Sequence, residues 1–195
     1  GITDNTAAIN AAIAGKSASG GGIVYLPPAV HAVINGIVPK SNVWLLGSGQ
    51  RATMLKCNSN CVVQDSTVQL SSWHMSDINL GPLAVGNNGA TALTFSSVQQ
   101  SVIERLLIEG FTTGRWLNLG GTVPSTITDS NLGGNVIWND FRDITVYGCA
   151  TCGTLSGHYG STPTGSPANS ANVPDQVVTA NQFNNINLFY VTGVC

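Results

Sequence analysis

Two aspartates three residues apart, Asp140 and Asp143, are the most chemically suggestive pair in the sequence. Paired carboxylates divide acid and base work, as in glycosidic bond hydrolysis, where roughly 5–9.5 Å separates them. Asp143 also opens Asp143-Ile144-Thr145-Val146-Tyr147-Gly148, whose counterparts open with Asp77 and Asn185, so it doubles as a turn residue. Glu104 and Glu109 flank a further such segment and read as solvated carboxylates. His158-Tyr159, between Gly157 and Gly160, offers an acid–base couple or a surface for a sugar ring. Arg115-Trp116 offers a planar donor beside a ring, although Trp116 on a strand equally suits a core. His74 beside Trp73, and His31, read as packed side chains.

Five cysteines leave at least one thiol unpaired or shared between chains. Cys57 and Cys61 are spaced to close a small disulfide across a turn. Cys149-Ala-Thr-Cys152 is a C-x-x-C, but zinc needs a second ligand pair and a redox motif normally opens a helix, and neither is visible. It reads as a disulfide or as buried thiols. The carboxylates are dispersed with no D-x-D run, so no metal site and no cofactor is expected in this chain.

These side chains sit in an unusual background. Only 8% of the 195 residues are charged, against about a quarter in typical domains, yet 43% are hydrophobic. That hydrophobicity excludes a disordered chain. Asn, Thr, Ser and Gly supply the polarity, as suits a turn-rich extracellular or virion β protein. The net charge is −2 and the seven basic residues form no cluster, which argues against nucleic acid and anionic membranes. Apolar runs are too short to span a bilayer.

The elements that must position these residues are mostly strands. Residues 4–14 read as a helix N-capped by Asp4 or Asn5, with Ile9 and Ile13 on one face and Gly15 near its end. Gly20-Gly21-Gly22 links it to the strand Ile23-Val24-Tyr25-Leu26, which Pro27-Pro28 stops. Segments opening at Asn42, Asp77, Arg105, Asp143 and Asn185 then repeat one pattern. Their inward pairs are Val43/Leu45, Ile78/Leu80, Leu106/Ile108, Ile144/Val146 and Ile186/Leu188. The starts are 35, 28, 38 and 42 residues apart, an irregular period that indicates a solenoid with insertions, placed at 121–135 and 160–181. The expected architecture is all-β: residues 1–22 as capping helix and link, and 23–195 as coils of a right-handed parallel β-helix, incomplete at the C-terminus.

The stretch from Thr3 to Ile13, then Gly20 to Pro28, then Ser41-Asn42-Val43-Trp44-Leu45-Leu46-Gly47, resembles the pectate-lyase-like β-helix superfamily, nearest its branch of bacteriophage tailspikes and secreted polysaccharide-degrading enzymes. Ala29 and His31 depart from the glycine and aromatic usual after Pro-Pro in that family. The resemblance implies a fragment of a tailspike or tail fibre, on the virion or extracellular, that binds and in some members cleaves host surface polysaccharide. It implies a homotrimer or a covering partner chain over the open end. An alternative is a secreted lyase or hydrolase with catalytic coils beyond Cys195; a second is a structural solenoid. Ca²⁺ is expected only in full-length relatives. The resulting expectation assigns catalysis to Asp140 and Asp143, and sugar contact to Arg115, Trp116, His158 and Tyr159.

Overall fold

The computed structural model describes residues 3–84, 89–120, 136–155 and 178–192. It opens with α1 (Thr6–Ala18), four residues longer than the expected end. Gly15 lies inside this helix, because Ser17 and Ser19 side chains bond to the carbonyls of Ser41 and Gly15 and extend the last turn. Asn5 is the N-cap residue but makes no side-chain capping bond; Asp4, one residue earlier, supplies it, its Oδ1 accepting the Thr6 amide at 2.9 Å. Ile9 and Ile13 are 6% and 0% exposed against the first coil. Gly21 joins helix to coil: its φ is 122°, and a Cβ would sit 2.4 Å from the Asn42 carbonyl oxygen.

Three parallel sheets wind around one core. Sheet A holds β1 (Gly22–Tyr25), β2 (Ala29–Val33), β3 (Val43–Leu46), β4 (Thr53–Cys57), β7 (His74–Pro82), β10 (Val102–Glu109), β13 (Asp140–Tyr147) and β16 (Gln182–Phe189). Sheet B holds β5 (Val62–Val63), β8 (Thr91–Phe95), β11 (Arg115–Leu119) and β14 (Thr151–Leu155). Sheet C holds the two-residue strands β6 (Leu70–Ser71), β9 (Val98–Gln99), β12 (Val136–Ile137) and β15 (Val178–Thr179). From β4 onward the strands visit A, B and C in turn, and the ladders between coils are parallel. This is the parallel β-helix expected from the repeats. Ile78, Leu80, Leu106, Ile108, Ile144 and Val146 all have 0% exposure and stack in columns.

The corners are made by residues in the left-handed region. Asp77, Arg105, Asp143 and Asn185 (φ 61°, 48°, 54° and 52°) divide the long strands of sheet A into two legs. A second column, Asn42, Ser72, Gln100, Trp138 and Ala180, turns sheet C into sheet A. Asn42 thus belongs with Ser72 and not with Asp77, because Trp44 pairs with His74 and the second leg of β7 pairs with β4. The first repeat is therefore offset by one leg. Inside the second corner runs a ladder: Ser101 donates its amide to Asn139 Oδ1 at 3.0 Å, and Asn139 Nδ2 donates to Asn181 Oδ1 at 2.8 Å.

Cys57 and Cys61 form a disulfide with both residues fully buried. Cys149 is a free, buried thiol that burial pushes up to about 12, so it carries no thiolate near neutrality. The side chain of Cys152, and Cys195, lie outside the described residues. No helix among the described residues is long and apolar enough to cross a membrane. On the last described strand, Phe183, Leu188 and Phe189 are 40%, 38% and 44% exposed.

Candidate functional site

Two outward faces concentrate polar side chains. The first is the corner of sheet A. There Arg105 stands in register with Asp77 and makes a two-pronged bond to it, Nε to Oδ1 at 2.9 Å and Nη2 to Oδ2 at 2.8 Å. Arg142, one coil on, reaches Glu104 Oε2 at 2.6 Å and Asp140 Oδ2 at 3.0 Å. His74 Nε2 lies 3.1 Å from Glu104 Oε1, and its ring stacks on Trp44 with centroids 4.3 Å apart. Arg105 also bonds to Glu104. The Glu104 side chain is only 5% exposed, so it is the hub of this ladder and not the solvated carboxylate expected from its place at a strand edge. The ladder continues through Asp143, whose Oδ1 accepts from Asn185 Nδ2 at 2.7 Å.

The electrostatics follow from those contacts. Burial opposes the charge on Glu104, but bonds from Arg142 and His74 and the nearby guanidinium charges outweigh it and hold the carboxyl below its usual range. The Arg105 bond does the same for Asp77. Burial lowers His74 below an ordinary histidine despite the Glu104 bond, so the ring is neutral at pH 7. Asp140 and Asp143 do sit together on β13, flanking Arg142, but each is engaged within the ladder. Asp77 and Glu104 accept from arginine through both oxygens, Asp140 through Oδ2 alone and Asp143 through Oδ1 from an amide, whereas Asp140 Oδ1 is buried without a hydrogen-bond partner. Among the described residues no group of three or more metal-ligating side chains converges.

The second face is sheet B. Leu93, Phe95, Leu117 and Leu119 are 0–2% exposed, so the alternate residues Thr94, Asn118 and Thr154, aligned across three coils, lie on the other face. Thr154 Oγ1 bonds to Asn118 Oδ1, and Arg115 Nη1 donates to Thr154 Oγ1 at 3.2 Å. No Asp or Glu occurs on any strand of this sheet. Arg115 is its one charge. Trp116, grouped with it as a sugar contact, is 5% exposed and packed with the core cluster, so its ring presents no face to a ligand.

Both long connections leave from one corner. β11 ends at Leu119 and β12 starts at Val136; β14 ends at Leu155 and β15 starts at Val178. These pairs are in register on adjacent coils. One coil earlier the same corner is closed by Ser96 and Ser97 alone. The second insertion ends before Val178, because Val178–Thr179 is a strand of sheet C. His158 and Tyr159 lie outside the described residues, as does the insertion at 121–135.

The comparisons with known proteins agree with this architecture. Residues 1–81 match the family model described as rhamnogalacturonase A/epimerase, pectate lyase-like. Over those residues the chain resembles a pectate-lyase-like β-helix. Mannuronan C5-epimerase AlgE5 of Azotobacter vinelandii is 44% identical over 63 residues, covering 29% of this β-helix and 6% of that protein. Alginate lyase 7 of the same organism is 41% identical over 63 residues, covering 29% of this chain and 7% of the lyase. The A-module of A. vinelandii mannuronan C-5 epimerase AlgE6 superposes with a TM-score of 0.57 at 20% identity, over 77% of this chain and 48% of the module. This β-helix thus spans under half of the solved module and a small fraction of the curated relatives. The family match ends before Arg115 and before the upper coils of the ladder.

Proposed function

We propose that the chain is the polysaccharide-binding part of a virion-tail or secreted protein, and that an acidic polysaccharide lies along sheet B with Arg115 reading its carboxylates. One observation carries this reading. Arg115 is the lone charge on the strands of a face of hydroxyls and amides: it opens β11, and its guanidinium reaches along the sheet to Thr154, next to the end of β14 where the second long connection leaves. A guanidinium without a carboxylate on its own sheet keeps donors for a carboxylate ligand. The relatives support the ligand class, since two of them are named for mannuronan and alginate, both polyuronates. His158 and Tyr159, at the mouth of the second insertion, are proposed as further contacts to the same polysaccharide. Catalysis by Asp140 and Asp143 is the weaker assignment, because the ladder holds both.

The test is retention on immobilised polymannuronate beside a neutral polysaccharide. Wild-type protein is expected to bind the polyuronate, and added salt to weaken binding. Arg115→Ala should cut affinity about ten-fold or more, the loss expected for a charged hydrogen bond. Unchanged retention would sink this reading, and depolymerisation abolished by Asp140→Asn or Asp143→Asn would move the chemistry to sheet A. A trimer or a covering chain over the exposed last strand belongs to the same proposal, and sedimentation tests it.

A further inference from the structure

Trp138 is a residue that stability alone does not explain. It sits in the corner column where the other coils place Asn42, Ser72, Gln100 and Ala180, all in the left-handed region. Its own φ is 56°, a conformation that short polar residues tolerate and bulky ones rarely adopt. Its indole is also 60% exposed. The fold thus accepts backbone strain here and gains little burial in return. Such outliers concentrate at functional positions.

The platform is held firmly. Val136 on one side is fully buried, and Asn139 on the other is 1% exposed. Asn139 Nδ2 donates to the Val98 carbonyl at 2.9 Å as well as to Asn181. The ring projects from between these pinned residues, so little order need be gained on binding. Its neighbours along the corner are Gln100 and Ala180, and Gln99 lies across β9 with its amide on Ser71 Oγ. From Thr91 to Leu155, Trp138 is the one exposed large hydrophobic side chain among the described residues. A lone ring amid amides and hydroxyls is far smaller than the roughly 800 Å² per partner of a stable protein interface. It fits a sugar: the apolar face of a pyranose covers the indole and the rim hydroxyls meet the amides.

We infer that Trp138 is a second glycan contact, a stacking platform on the corner between sheets C and A, separate from Arg115. The inference rests on the preceding reading only for the ligand being a polysaccharide. Two residues of β12 separate Trp138 from the end of the first long connection.

Trp138→Asn tests it, because Asn42 shows that this column accepts asparagine. The variant should melt no lower than wild type and lose about five-fold in polymannuronate retention, with the loss unaffected by salt. Trp138→Tyr should restore most of the retention. Wild-type retention by Trp138→Asn overturns the inference. So does a change in sedimentation with retention intact, which would place the ring between protein chains. Loss with Trp138→Asn but not with Arg115→Ala would leave this inference standing and remove the sheet B assignment.

Discussion

The corner of sheet A and the face of sheet B are built on the same coils, yet they treat charge in opposite ways. On sheet A, Asp77, Glu104 and Asp140 meet Arg105 and Arg142, Asp143 meets Asn185, and the neutral His74 closes the set. That leaves two net negative charges, with the donors directed at neighbouring coils. Sheet B has one arginine and no acid. A polyuronate meets repulsion on the first face and an unneutralised cation on the second. Concentrated charge therefore marks the place where stacked corners are tied together, and on the proposed reading sparse charge marks the place where a ligand is recognised.

The largest effect that separates the two faces should come from Glu104→Ala. It strands three donors around a buried site, and the expected cost is about 2–3 kcal/mol. The usual penalty for breaking a buried pair is discounted because Arg105 and Arg142 are 42% and 44% exposed. Urea denaturation measures it, and polyuronate affinity per folded molecule should not change. A loss of binding with full stability would recast the ladder as a ligand site. Arg105→Ala removes the bond to Asp77 and should cost about 1 kcal/mol by the same assay.

Acid should act on the same ladder. His74 is lowered in the fold, so the unfolded chain takes up the proton first and stability declines as pH falls below the ordinary histidine value of 6.5. Glu104 and Asp77 are lowered too, so what they contribute is present above their ordinary values of 4.5 and 3.8 and is lost as pH falls through their folded values. Both effects have one sign. Denaturation midpoints measured from about pH 7 to about pH 5 should decline in wild type and flatten in His74→Phe. Equal slopes would remove His74 from the account. The smallest change is Asp143→Asn, expected within about 0.5 kcal/mol because asparagine suits the left-handed corner and can still accept from Asn185.

The sequence pattern shows which of these features can be read without coordinates. The inward pairs from Ile78 to Val146 are legible because alternation of aliphatic residues reports a buried strand face directly. The cap is legible because Ile9 and Ile13 recur at helical spacing, although the helix end moved when serine side chains bonded past Gly15. Asn42 was placed a leg out of register because both corner columns favour small polar residues, and only pairing distinguishes them. Glu104 was missed since its partners His74 and Arg142 lie 30 and 38 residues away in sequence. Trp116 was half-legible: residue type allowed either core or ligand contact, and burial decides for the core. For Trp138 the signal was available, a tryptophan where other repeats carry small or polar residues, but it needed the corner alignment to be seen.

The central claim is that ligand recognition belongs to sheet B and structural pairing to the sheet A corner. Calorimetric titration of a polymannuronate oligomer into Arg115→Ala and Arg142→Ala, each confirmed folded by circular dichroism, tests it most directly. The account predicts at least about ten-fold weaker binding for Arg115→Ala and wild-type affinity with reduced stability for Arg142→Ala. The reverse pattern, affinity lost with Arg142→Ala and kept with Arg115→Ala, would contradict it.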